Sequence, residues 1–278
     1  MTERRAAAGT GIDLLVEEGE ALHRLQATAA RGPGEATPRA KPARRGMTPL
    51  IRARSDRRFH VGMSLAFLAT AFAGFAPSYY LRGATPAAPL SPLLHAHGLV
   101  FTGWLLLLLT QSSLVAARRV DLHRRLGILG ALLSVSMIPL GFLTAIGAVR
   151  RGFAPPGLDP LVFLIFPMGS IVLFACFVGA ALWKRRSREL HRRLILLGTV
   201  SIMAPAIARL PFLGLRPVLG LLLSTLFVVA GMIHDRRTRG RVHHAYLWGG
   251  LVILLSGPVR FGLGQTEAWH ALARWLVG

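Results

Sequence analysis

One cysteine and twelve acidic residues are all that this 278-residue chain holds of those types, and each scarcity excludes something. Cys176 stands alone, so there is no intramolecular disulfide and no cysteine cluster to hold a metal. The chain has no Gly-rich phosphate loop, no HExxH and no GxSxG. That removes the usual sequence marks of nucleotide, zinc-protease and serine-hydrolase sites. No Asp-rich pair is present to grip a diphosphate through Mg²⁺. No carboxylate stands within an apolar run; Asp159 and Asp235 come nearest, at span edges. A proton-driven carrier usually buries an Asp or Glu, so that class loses ground. No cleavable apolar segment opens the chain, where a secretory signal would place one.

What the sequence does contain is apolar: 53% of residues are hydrophobic and only 16% charged, against about 25% charged in a soluble domain. The charge gathers in the first 58 residues and in short connections. The runs between them are long enough to cross ~30 Å of hydrocarbon, and most lack the polar face of a soluble helix. Seven spans are expected, at 59–76, 93–116, 126–149, 161–183, 194–210, 218–233 and 245–261. The fold class is therefore all-α, a polytopic bundle of about seven transmembrane helices in residues 59–263. Residues 1–58 read as a basic, largely disordered cytoplasmic tail. Ile12, Leu15, Val16, Leu22 and Leu25 have loosely helical spacing, and 31–46 reads as a linker. Met47 offers a second start that would make the first 46 residues dispensable. Residues 264–278 are too short to span and are expected in the interface, with Trp269 and Trp275 as anchors.

The net charge of +21 does not indicate a nucleic-acid partner, because the arginines alternate with membrane-length apolar runs instead of covering one folded face. Connections 117–125, 184–193 and 234–244 carry fourteen Lys and Arg; the alternate connections carry five. That asymmetry predicts the basic loops and the N-terminus in the cytoplasm and the C-terminus outside. An internal repeat accompanies it. Asp121-Leu-His-Arg-Arg-Leu126 recurs as Glu189-Leu-His-Arg-Arg-Leu194, and Met137-Ile-Pro139 recurs as Met203-Ala-Pro205. The second and third spans and the fourth and fifth thus read as two copies of one hairpin.

Ten histidines carry most of the potential chemistry. His60, His123, His191, His234, His243 and His244 stand at the cytoplasmic span ends. One reading is a haem or metal site, haem b needing two axial ligands on facing helices; His97, His123, His191 and His243 are its candidates. The other reading places each His among headgroups, with Asp121 and Glu189 as helix caps or ion-pair partners of the Arg-rich turns. At the outer end, Arg209 and Arg260 are intramembrane charges and so functional candidates. With His97 and either Tyr79 or Tyr80 they could line an outward-facing pocket for a carboxylate, a quinone oxygen or a haem propionate. Gln111 shares a helix face with His97 and joins that pocket set. The competing reading has each Arg snorkelling to headgroups.

The segments HAHGLVFTGWLLLLLTQSSLVAARRVDLHRRLG (95–127), DPLVFLIFP (159–167), Arg-Leu-Pro at 209–211 and RGRVHHAYLWGG (239–250) resemble a family of small bacterial multi-pass inner-membrane proteins over about residues 57–276. The resemblance implies topology and no chemistry. The histidines at span starts are loosely similar to those of haem membrane proteins of the cytochrome b561 type, but no mid-span His pairs stand on two neighbouring helices. Three classes stay open: a haem-, metal- or quinone-linked redox protein, a transporter or receptor using the outer pocket, and an accessory subunit. Whether the chain is an enzyme is left open. The expected partners are the lipid bilayer and either another membrane protein or a second copy of the chain.

Overall fold

The computed structural model of the chain describes residues 22, 23, 26, 48–84 and 89–278. The chain divides into two compact units, Met1–Arg45 and Gly46–Gly278. In the first, Leu22, His23 and Gln26 are helical; Ile12, Leu15, Val16, Leu25 and the 31–46 linker lie outside the described residues. The second unit is all-α among the described residues. Its helices are α1 (Pro49–Phe75), α2 (Pro92–Ala116), α3 (Val120–Arg150), α4 (Pro160–Trp183), α5 (Arg188–Ser201), α6 (Ala204–Ala208), α7 (Pro217–Arg239), α8 (His244–Gly264) and α9 (Glu267–Val277).

Among the described residues, seven helical stretches are long and apolar enough to cross a membrane, counting α5 and α6 as one broken stretch. The chain is a multi-pass membrane protein. Leu99, Ile128, Val135, Leu226, Val252 and Leu255 point outward. In water that belt would be unstable; against lipid it is the expected surface. Cys176 is exposed on the same surface.

Capping explains where several helices begin. Ser91 accepts from the Leu94 N–H at 3.4 Å, and Asp159 accepts from Leu161 and Val162 at 2.7 and 3.1 Å. Proline follows each cap, at a position whose missing N–H costs nothing. α7 ends at Gly240, whose φ of 72° puts it in the left-handed region that glycine enters freely. The helices outrun the apolar sequence: α1 starts well before Phe59, α3 before Leu126, and α7 continues past Ile233. Most residues of the Arg-rich connections are therefore turns of helix. Hydropathy marks the hydrocarbon, whereas the backbone hydrogen bonds continue beyond it.

The fifth stretch sits at the centre. Its most apolar window is 61% buried inside the protein, against 17–39% for the other six. Around it run α1, α2, α3, α4, α8 and α7, each packed on the next, and α6 closes the gap between α7 and α1. The central stretch breaks at Ile202 and Met203, just before Pro205. α6 then wedges between its neighbours. A Cβ on Gly74 of α1 would collide with the Ala206 carbonyl, and one on Gly220 of α7 with the Ala204 carbonyl.

The C-terminal helix α9 is capped by Thr266 and packs on α3 and α4. Trp269 donates to the Leu161 carbonyl at 2.8 Å, and Arg150 donates to the carbonyls of Val277 and Leu276. Trp275 is 76% exposed. Of the two expected anchors, Trp269 is tied to protein and Trp275 is free for the interface.

Candidate functional site

The break after α5 delivers Arg209 to a half-buried position beside α1, α2 and α3. Its Nη1 donates to the Pro205 carbonyl at 3.0 Å. The guanidinium lies 5.1 Å from the Phe75 ring centre and 5.8 Å from that of Phe153. Among the described residues it has no carboxylate partner. His97 of α2 interacts electrostatically with Arg209 and lies against the Leu140 carbonyl of α3. Its ring stacks on Phe101 at 4.0 Å. The His97 Nδ1 and, one turn beyond Leu140, the Thr144 hydroxyl are buried without a hydrogen-bond partner. A cation and an imidazole thus stand beside aromatic rings.

The other members of the expected outer pocket are engaged differently. The Tyr80 hydroxyl shares a 2.7 Å hydrogen bond with Thr102. It belongs to a π-helical turn, Ala76–Tyr80, that carries α1 past Pro77. Arg260 of α8 turns to α4. It donates to the Phe166 carbonyl at 2.7 Å and the Ser170 hydroxyl at 3.0 Å, and back to Ser256. Gln111 is fourteen residues from His97 on one straight helix, about 21 Å along its axis. It therefore belongs to the other end of the bundle, where its carbonyl lies against His123. A shared helix face did not imply a shared depth.

That distance also divides the histidine candidates. His97 cannot share one cofactor with His123, His191 and His243. His123 and His191 do interact with each other. The His191 Nδ1 is bonded to the Ala181 carbonyl at 2.8 Å, which leaves its Nε2 free, and the His123 Nδ1 is buried without a partner. His243 caps α8, its Nδ1 accepting from the Ala245 N–H at 3.1 Å. Among the described residues, no three His, Cys, Asp or Glu side chains converge to hold a metal.

The most constrained cluster was not apparent from the sequence. At the basic end, Asp56 of α1 is 7% exposed and holds three partners. The His234 Nε2 approaches it at 2.9 Å, Arg192 donates at 3.0 Å, and Arg239 donates at 2.6 and 3.1 Å. Arg193 forks onto Asp235, Nε to Oδ2 at 2.9 Å, and also donates to Glu189 at 2.6 Å. The His243 backbone N–H donates to Asp235 as well. Three carboxylates (Asp56, Glu189 and Asp235) thus face three guanidinium groups (Arg192, Arg193 and Arg239). The balance makes burial tolerable, and the network joins α1, α5, α7 and the start of α8. Asp235, read as a span-edge residue, is fully buried within α7. One signal was available in the sequence: a carboxylate beside long apolar runs is rarely left unpaired. It could not say which arginine pairs with which acid.

Compared with family models, curated proteins and solved structures, the chain matches none. The bacterial family, the inner membrane and haem accordingly stay expectations.

Proposed function

We propose that this protein binds a small organic carboxylate at the Arg209–His97 site, as a transporter or receptor of the membrane it spans. The observation that carries this reading is the Arg209 guanidinium, half-buried among Phe75 and Phe153 with no carboxylate partner among the described residues. Among the described residues only its Nη1 is bonded to protein, so Nε and Nη2 present the edge that fits a carboxylate with two parallel hydrogen bonds. His97 supplies a further donor or acceptor, and the aromatic rings suit an apolar body. With the basic ends in the cytoplasm, as the Lys and Arg asymmetry favours, this site opens outward.

The test is thermal unfolding of the detergent-purified protein against a graded series of carboxylates and their neutral amides. Carboxylates, and not amides, raise Tm by mass action. Arg209→Leu loses the response and Arg209→Lys keeps part of it, at an unchanged baseline Tm. An Arg209→Leu protein that responds like the wild type would discard the site.

A second reading rests on His123 and His191. Their mutual approach, the orphaned Nδ1 of His123 and the free Nε2 of His191 are what a bis-histidine haem b or a quinone headgroup would use. Absorption spectra of the oxidised and dithionite-reduced protein decide the haem form. A Soret band that shifts on reduction, and is lost in His123→Ala and His191→Ala, would establish it.

A further inference from the structure

At the start of α1, Arg54, Arg57 and Arg58 surround an open hollow of about 570 Å³ whose floor is Val61, Gly62 and Ala116. A second hollow of about 410 Å³ shares Arg54 and Arg58 and reaches Phe59 and His234. The three arginines recur at helical spacing, so they share one face of α1. Among the described residues none of them is in an ion pair. The carboxylate in their midst, Asp56, is directed into the bundle and is occupied by Arg192, His234 and Arg239. The hollow is therefore a cationic rim over an apolar floor. It straddles the boundary where α1 turns from charged to apolar, between Arg58 and Val61. Ala116 of the floor is the last residue of α2, and Arg118 and Arg119 follow within the next turn.

We infer that this hollow binds the phosphate headgroup of an anionic phospholipid. The arginines would hold the phosphate, and the first methylenes of an acyl chain would lie over Val61, Gly62 and Ala116. Depth, charge and polarity all change across the hollow in the order in which they change along a phospholipid. The site is at the opposite end of α1 from Phe75 and the Arg209 region, and does not depend on them.

Gly62 gives a direct test. A Cβ added there meets nothing within 4 Å, so Gly62→Leu fills the floor without disturbing helix packing. The full-length protein in mild detergent would be titrated with phosphatidylglycerol, phosphatidylcholine or inorganic phosphate. Tm and the lipid retained in native mass spectra would be read for each. Phosphatidylglycerol is expected to be retained and to raise Tm, with phosphatidylcholine ineffective. The triple variant R54Q/R57Q/R58Q should bind phosphatidylglycerol roughly a hundredfold more weakly, at about fivefold per arginine. Gly62→Leu should lose retained lipid at an unchanged baseline Tm, and it decides the matter alone if the triple variant does not fold. Equal effects of the two lipids, or wild-type retention by Gly62→Leu, would overturn the inference. Stabilisation by inorganic phosphate as large as that by phosphatidylglycerol would overturn the lipid assignment.

Discussion

Arg193 and Asp235, 42 residues apart, form a two-pronged ion pair between α5 and α7 in which both residues are 1% exposed. Neither charge reaches solvent, so each must be neutralised within the protein: first by the other, with Glu189 also beside Arg193 and Arg239 also beside Asp235. Removing one partner of such a pair costs about 3–5 kcal/mol. Asp235→Asn and Arg193→Met should each lower the unfolding temperature by roughly 10 °C. Combining Arg193→Met with Asp235→Leu should recover most of that loss, because no lone charge is left buried. A double variant no more stable than the singles, in the same thermal scan, would mean that the pair does more than neutralise itself.

Arg260 makes the opposite prediction. It is 8% exposed, bonds only carbonyl and hydroxyl oxygens, and among the described residues has no carboxylate. Its desolvation is uncompensated by an opposite charge. Arg260→Met is therefore expected to unfold within about 1 kcal/mol of the wild type, or above it. Ligand response measured on the same variant separates Arg260 from Arg209: only the Arg209 change should abolish stabilisation by carboxylates.

The seat of α6 depends on a missing side chain. Because a Cβ on Gly74 would strike the Ala206 carbonyl, Gly74→Ala must push α1 away from α6. Overpacking of this kind costs about 1–3 kcal/mol. Since Arg209 follows α6 directly, the variant should also lose carboxylate response, whereas Gly62→Ala, which meets open space, should keep both stability and response.

His243 links the network to pH. Burial, and next the nearby Arg193 guanidinium, hold its imidazole below the usual value of 6.5, against the weaker pull of Asp235 and Glu189. The neutral ring is the form that caps α8 by accepting from Ala245. The unfolded chain therefore binds this proton first. The stability His243 contributes is present above about pH 6.5 and drains away as pH falls toward its depressed native pKa. His243→Asn, a cap that does not titrate, should unfold with a shallower loss of Tm between pH 7.5 and 5.5 than the wild type. Parallel profiles would show that His243 stays neutral in both states or does not matter.

Membrane crossing was legible because it is a local property. A run of apolar residues needs only its own length to declare a span, and the seven runs read from the sequence are the seven crossing stretches of the structure. Arg209 and His97 stand out in the sequence as polar groups in apolar surroundings, and the pocket built on them is a proposal. Gln111 and Arg260 stood out equally and went elsewhere, because distance along a helix and the neighbour across an interface are not written in hydropathy. His243 was legible as a histidine at a helix start and not as a cap.

The two near-identical segments show where the division falls. Asp121-Leu-His-Arg-Arg-Leu126 and Glu189-Leu-His-Arg-Arg-Leu194 each lie in the first turns of a helix that follows a basic turn, and the sequence alone determined that much. In the first, Arg124 and Arg125 are exposed, and among the described residues Asp121 pairs only with Arg119, at 3.9 Å. In the second, Arg192 and Arg193 are drawn into a balanced network with Asp56 and Asp235. The residues hardly differ; their neighbours do. α3 lies on the rim of the bundle, where a guanidinium can keep its water. α5 lies at the centre, where it cannot, and a charge deprived of water must find a carboxylate. Which arginines became structural was decided by the position of the helix in the bundle.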